Sequence, residues 1–235
     1  LTSGDAFVCD VNGDKVYDET NELFYYVSDY YDTSTQTFDN TYAALIHSKD
    51  SSNGNAAYYS TAAENWHGPV TAISSLPTTA SNSWKNIELK ETQRQILGMS
   101  SDQTTLSTST PGGDLPLFDY GTSAARLLTF SELLNGCPDA KNGTLENYRG
   151  SLSSCNYLME NTKYSDSTKS NYGSWLETPK LTSNRPIFFI RSNARYLEGA
   201  YANNTSEVSV RPTIDVPKSA MNLEIRSYLL ISLAL

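Results

Sequence analysis

The sequence predicts an α+β chain made of short antiparallel strands, two or so helices and long loops. Three observations point to it. Leu23–Tyr31 (LFYYVSDYY) is a run of aromatic residues around a valine, side chains that suit a pleated, half-buried surface. Thr129 and Glu132 stand three apart just ahead of Leu133-Leu134, the spacing of a capping box. Long stretches between such segments are rich in Ser, Thr, Asn and Gly, which favour turns and loops.

Composition narrows the function classes. Only 18% of the 235 residues are charged against 38% hydrophobic, and the chain holds 16 tyrosines. That polar but weakly charged make-up suits an extracellular or cell-surface location. The net charge is −9 and no basic run exists, so nucleic acid is excluded as a partner, because nothing would neutralise its phosphates. The acidic surface reads as a solubility device rather than a site for cationic ligands.

Residues 9–22 read CDVNGDKVYDETNE. Asp10, Asn12, Asp14 and Asp18 fall in the first, third, fifth and ninth places of a calcium-loop register, with the Val16 carbonyl in the seventh. Oxygens at every second residue converge on one hard cation as a loop curls, so the stretch is a candidate for structural Ca2+. It departs from an EF-hand: Lys15 replaces the turn glycine and Asn21 the bidentate Glu, although Glu19 and Glu22 are near. The competing reading is an Asp/Asn/Gly turn between strands.

Leu23–Tyr31 is then a strand and, after a turn near Asp39-Asn40, Tyr42–His47 its partner, with His47 at the surface or rim. Residues 48–63 read as a loop with Tyr58-Tyr59 exposed. Trp66-His67 before Gly68-Pro69 has no nucleophile or orienting carboxylate nearby, so a packed corner is expected. The spacing of Ile87, Leu89, Ile96 and Leu97 predicts a short helix within 84–97, ending at Gly98. Residues 99–114 read as a long loop. A helix from Thr129 to about Asn135-Gly136 follows, then a short ordered segment at 157–161 and a polar loop at 163–171.

Three cysteines are too few for a disulfide scaffold and too dispersed for zinc. Cys137 and Cys155 bracket a polar loop and can close it as a disulfide. Cys9 is left over, a thiol expected to pair with something outside this chain. The start at Leu1 is read as trimmed or processed, with membrane attachment only through an N-terminal anchor preceding it. The closing YLLISLAL is too short to span a bilayer and reads either as a packed terminal element or as a read-through tail.

The strongest functional signal lies in 172–218. Tyr172–Leu176 and Val208–Val216 read as strands, the second alternating like a half-buried one. Between them crowd Arg185, Arg191, Asn193, Arg195, Tyr196, Glu198, Tyr201, Asn203 and Asn204. This mix of aromatic, amide and guanidinium groups resembles a paratope more than an active site. Phe188 and Ile190 alternate with Phe189 and Arg191, so one set is expected to face the core and the other a ligand. Ser192–Ala194 is the expected turn, and Arg195–Leu197 the return strand. An ordinary exposed hairpin with solvated charges is the competing reading.

Ala125-Arg126-Leu127-Leu128-Thr129 with Glu132-Leu133 resembles the "RLPT..E" helix start of the formylglycine-generating-enzyme type of C-type lectin fold. Tyr172–Leu176 resembles its "GYWL" strand and Val210-Arg211-Pro212 its closing "GVRP" strand. Leu128 stands where that pattern has Pro, and Ser209 where it has Gly. The layout is similar to bacterial C-type-lectin-like proteins, including variable proteins diversified by retroelements. The Asp10–Asp18 loop, the tyrosine-rich strand and VRPTIDVPKS further resemble pilin-anchored surface ectodomains of gut Firmicutes. The resemblance implies a C-type lectin-like core at 115–218. A β-rich part at 1–114 would be packed on it or continuous with it, and an apolar tail would occupy 219–235. It also implies a ligand surface just before the final strand, adding Ile187, Phe189 and Ser206 to the contact residues above.

The leading expectation is therefore a non-enzymatic, adhesin-like recognition domain, hypervariable if diversified. It would bind a protein or glycan on another cell or on a phage or host surface, with Tyr196, Tyr201 and the arginines as anchors. The alternative is a structural minor-pilin or filament subunit whose partners are other subunits. An oxidase of the formylglycine-generating type needs a late pair of redox-active cysteines, and no cysteine follows Cys155.

Overall fold

The computed structural model describes residues 1–16, 18, 22–51, 56–61, 67–80, 84–96, 117–141, 151–159, 173–179, 186–191, 195–205 and 208–221, with the backbone alone for 141, 186–189 and 191. The described part is α+β and mostly strand. The strands are β1 (Ala6–Val8), β2 (Leu23–Asp32), β3 (Thr37–His47), β4 (Gln93–Gln95), β5 (Leu117–Asp119), β6 (Gly173–Pro179), β7 (Pro186–Arg191), β8 (Tyr196–Tyr201), β9 (Val208–Ser209) and β10 (Thr213–Pro217). Two short helices, α1 (Val70–Ile73) and α2 (Phe130–Gly136), accompany them. One sheet has the order β1-β2-β3-β10, another β8-β7-β6-β9, and β4 pairs with β5.

The tyrosine-rich run forms β2 as expected, antiparallel to β3. The turn between them lies at 33–36, where Asp32 Oδ1 accepts from the Ser34 hydroxyl and N–H and from the Thr35 N–H. It is not at Asp39-Asn40. Those residues sit inside β3, where the register slips between the pairs Asp29–Ala43 and Tyr30–Asp39. Asp39 accepts from the N–H and hydroxyl of Thr41, so its turn chemistry makes a bulge within a strand held from both sides.

β10 runs antiparallel along β3 from Thr213–Ile46 to Pro217–Tyr42, joining the start and the end of the described chain in one sheet. β3 is therefore central. Ala43 and Leu45 enter a core with Phe24, Tyr58, Trp84 and Trp175. Ile46 enters a second core with Val27, Phe130, Leu133, Leu158 and Leu197. His47, expected at the rim, is buried, with its ring 5.0 Å from Phe24 and 5.5 Å from Trp84. Trp84 covers it, a contact no local pattern announces.

Other expectations fail for the same reason. No helix forms in 84–96: the backbone is extended or turning and ends in β4. Its side chains are drawn outward to tertiary partners: Asn86 bonds the carbonyl of Asp10, and Arg94 pairs with Glu177 at 3.2 Å. Tyr58, expected to be exposed, is fully buried and donates to the Glu177 carbonyl at 2.6 Å. The packed corner is present: His67 stacks on Tyr59 at 4.2 Å, and a Cβ on Gly68 would lie 2.7 Å from the Phe118 ring. Val208–Val216 is not one half-buried strand. Val208–Asp215 is buried throughout and changes sheets between β9 and β10, at Val210–Pro212. Pro212 has no N–H to continue a ladder, while its carbonyl accepts from His47 N–H at 2.8 Å. Arg211, fully buried at that corner, donates to the carbonyls of His47, Ser48, Tyr157 and Leu158. The expectations for 99–114, Asn65-Trp66, 163–171 and 222–235 lie outside the described residues.

The capping box is present as predicted. Glu132 N–H donates to Thr129 Oγ1 at 3.1 Å, and Thr129 N–H to Glu132 Oε2 at 3.0 Å. Glu132 is also buried, accepting from Arg126 at 2.9 and 2.6 Å and from the Tyr31 N–H at 2.9 Å. Arg126 Nε reaches Asp215 of β10 at 2.9 Å. One guanidinium thus ties the start of α2 to β10, while Glu132 ties it to β2. At the other end of α2, Gly136 lies so close to β2 that a Cβ would be 2.3 Å from the Val27 carbonyl oxygen.

Cys137 and Cys155 form a disulfide, with their Cα atoms 5.8 Å apart. Cys9, expected to pair outside the chain, is instead buried in the first core as a free thiol. Burial, with the charge of Glu22 nearby, pushes its pKa up to about 12. Native protein at pH 8 is therefore expected to release no thionitrobenzoate from a disulfide reagent over an hour. The same protein in urea should release one equivalent. Rapid reaction in the native state would contradict this burial.

Candidate functional site

The predicted hairpin forms. β7 and β8 pair antiparallel, with Arg191 opposite Tyr196, Phe189 opposite Glu198 and Ile187 opposite Ala200. Opposed residues share a pleat face, so positions 187, 189, 191, 196 and 198 of the predicted set lie on one face. Tyr201, opposite Pro186, lies on the other. Neither face is wholly free: Ile190 and Leu197 belong to the second core, and Ala200 packs on the first. Of the predicted contact residues whose side chains are described, the exposed ones are at the two ends. Arg195 closes the turn with a left-handed backbone (φ 55°) and is exposed; Tyr201, 55% exposed, and Asn203 mark the other end. Tyr196, Glu198 and Asn204 are half-buried. Arg185, Asn193 and Ser206 lie outside the described residues.

The hairpin is held from several directions. β6 joins it to the interior through Trp175, whose indole N–H donates to the Ala56 carbonyl at 2.6 Å. Its outer edge is met by residues 151–152: Leu152 N–H donates to the Arg195 carbonyl at 2.8 Å, and Ser151 bridges to Tyr196. Three residues later in that segment comes Cys155, so the disulfide fixes the support of the turn. Among the described residues the hairpin presents arginine, tyrosine and asparagine on a firm base. Such groups suit contact and hydrogen bonding better than proton transfer.

A second cluster lies at the opposite end of the sequence. Asp10 accepts from the N–H groups of Gly13, Asp14 and Lys15, and Asp14 from Val16 N–H and the Asn12 amide. Lys15, in the place of the expected turn glycine, takes the left-handed backbone (φ 61°) such a glycine would take. The carboxylates of Asp10 and Asp14 come together with that of Glu22, not Asp18: one oxygen from each lies within 4.8 Å of the others. Asp18 contributes its N–H, donated to Glu22 Oε2 at 2.7 Å. Burial raises the pKa of Glu22, and the charges of Asp10, Asp14 and Asp18 add to that. Glu22 sits one residue past the last place of the calcium-loop register, at the foot of β2, so the spacing alone does not single it out.

The chain matches no protein-family model, no curated protein and no solved structure.

Proposed function

We propose that the chain is a surface-displayed recognition domain on a C-type lectin-like fold, binding a protein or glycan through the β7–β8 hairpin and the turn after Tyr201. The observation that carries this is the hairpin itself, anchored by buried Ile190, Leu197 and Ala202 while Arg195, Tyr201 and Asn203 stay exposed. A six-residue strand separates the exposed ends by roughly 17–20 Å, the scale of a macromolecular or oligosaccharide footprint. Arg195 holds a backbone conformation that costs a non-glycine residue about 1 kcal/mol, and such residues cluster at contact sites. The lectin-type reading is supported by the residues that carry the resemblance: Arg126, Glu132 and Arg211 are all buried and bonded at element junctions. The disulfide fits an oxidising, extracytoplasmic setting.

The test is binding of labelled protein to a glycan array and to intact cells. Arg195→Ala/Tyr201→Ala is expected to weaken binding at least tenfold, the size of one anchor contact. Phe38→Ala, an exposed aromatic on the β2–β3 hairpin, should leave it unchanged. Binding that survives the double substitution would sink the assignment, and a filament interface covering 195–203 would move this face to subunit assembly.

A further inference from the structure

We propose that Asp10, Asp14 and Glu22 form a calcium-class cation site that pins the 10–18 loop to the foot of β2. The site is independent of the recognition reading. Acidic clusters at a surface are common without a metal, so the clustering alone carries little. What sets this one apart is Glu22. It is fully buried, and among the described residues its Oε1 has no hydrogen-bond donor. A buried carboxylate oxygen without a donor is costly unless a cation completes it. The two carboxylates within reach of Glu22 are also acidic, so the local chemistry calls for positive charge from outside the chain.

Size and donor type agree. A calcium ion about 2.4 Å from each oxygen spans oxygens up to about 4.8 Å apart, and it takes carboxylates in flexible arrangements. Three carboxylate oxygens within 4.8 Å of one another therefore fit around one ion. The existing hydrogen bonds to Asp10 and Asp14 do not prevent this, since an ionised carboxylate offers about four lone-pair sites. An ion here would join the loop to β2 where Cys9 N–H already bonds the Glu22 carbonyl at 2.9 Å. Through Asn86, which donates to the Asp10 carbonyl and the Val11 carbonyl, it would also steady the segment that carries Trp84 over the core.

The experiment is thermal unfolding of chelator-treated full chain with and without added CaCl2. Calcium a hundredfold above its Kd is expected to raise the melting temperature by roughly 5–10 °C. Glu22→Gln should abolish that response and, in chelator, melt no lower than the native sequence, because it removes an unpartnered charge. Asp14→Asn, at an exposed position and so safe for folding, should also lose the response, while Glu88→Gln on the open surface keeps it. A native melting temperature indifferent to calcium overturns the site. So does an equal shift in Glu22→Gln and Asp14→Asn, which would place the ion elsewhere. An equal response to magnesium overturns the calcium-class assignment.

Discussion

Arg126→Met is expected to destabilise the protein by about 3–5 kcal/mol, the range for removing one partner of a buried ion pair. For a chain of this length that lowers the melting temperature by roughly 6–20 °C. The substitution keeps the apolar stem but strands two carboxylates: Glu132 and Asp215 would lose the 2.6 and 2.8 Å contacts that Arg126 gives them in the interior. It also loosens a junction of three elements, because Arg126 and Thr213 exchange main-chain bonds at 2.9 and 2.8 Å beside the ion pairs. Arg126→Lys should recover little, since one ammonium cannot reproduce the fork that reaches both acids. Adding Glu132→Gln and Asp215→Asn to Arg126→Met should recover part of the loss, because the stranded charges are gone. Strict additivity of the three substitutions would show that they do not act as a unit.

The same network sets an acid limit with a definite sign. Burial works against ionised Glu132, but the charge and hydrogen bonds of Arg126 outweigh it and hold the carboxyl below the usual glutamate range. A depressed folded-state pKa means that the contribution is complete above the ordinary value of about 4.3. It is lost as pH falls from there through the lower, folded-state value. Urea midpoints measured from pH 6 down to pH 3 should fall in the native protein, with a shallower slope in Arg126→Met. Parallel slopes would remove Glu132 from the explanation.

What could be read ahead of the structure was whatever is local. Thr129 and Glu132 are three residues apart and find one another within one turn, so the cap and the helix end at Gly136 were both legible. Cys137 and Cys155 were legible as a pair because they bracket one loop. Arg94 and Glu177 were not, because nothing near either residue signals a partner on another strand, and the ordered partners of Arg94 turned an expected helix into an extended segment. His47 and Tyr58 were misplaced for a related reason: polarity suggested surface, but Trp84 covers one ring, and the Glu177 carbonyl satisfies the hydroxyl of the other. At the candidate sites, the pairing of the two hairpin strands was legible from alternation, while the expected turn at Ser192–Ala194 lies outside the described residues. Which of its side chains stay exposed was not, because both faces of β8 meet parts of the core. Glu22 was legible only as a nearby acid, since its approach to Asp10 depends on how β1 and β2 pair.

Loss of the Cys137–Cys155 disulfide should cost about 3 kcal/mol, because cross-linking positions 18 apart removes that much chain entropy from the unfolded state. Reduction should lower the urea midpoint by about 1 M or more. The structure adds where the effect should appear first. Cys137 caps α2, and Cys155 lies in the short segment whose Leu152 N–H bonds the Arg195 carbonyl. Without the bridge, Arg211 and the second core still hold Tyr157 and Leu158, but residues 151–155 lose their tether to α2 and keep only Leu152 in that core and the pairing itself. Hydrogen exchange on reduced protein should therefore accelerate at Leu152 and Tyr196 before it changes at Tyr25 or Leu45, which pair within the central sheet. An even loss of protection across all four amides would mean that the bridge stabilises only the whole fold. Selective loss would make it the brace of the one hairpin that presents Arg195 and Tyr201, so ligand binding should fall under reducing conditions while the β2–β3 sheet remains intact.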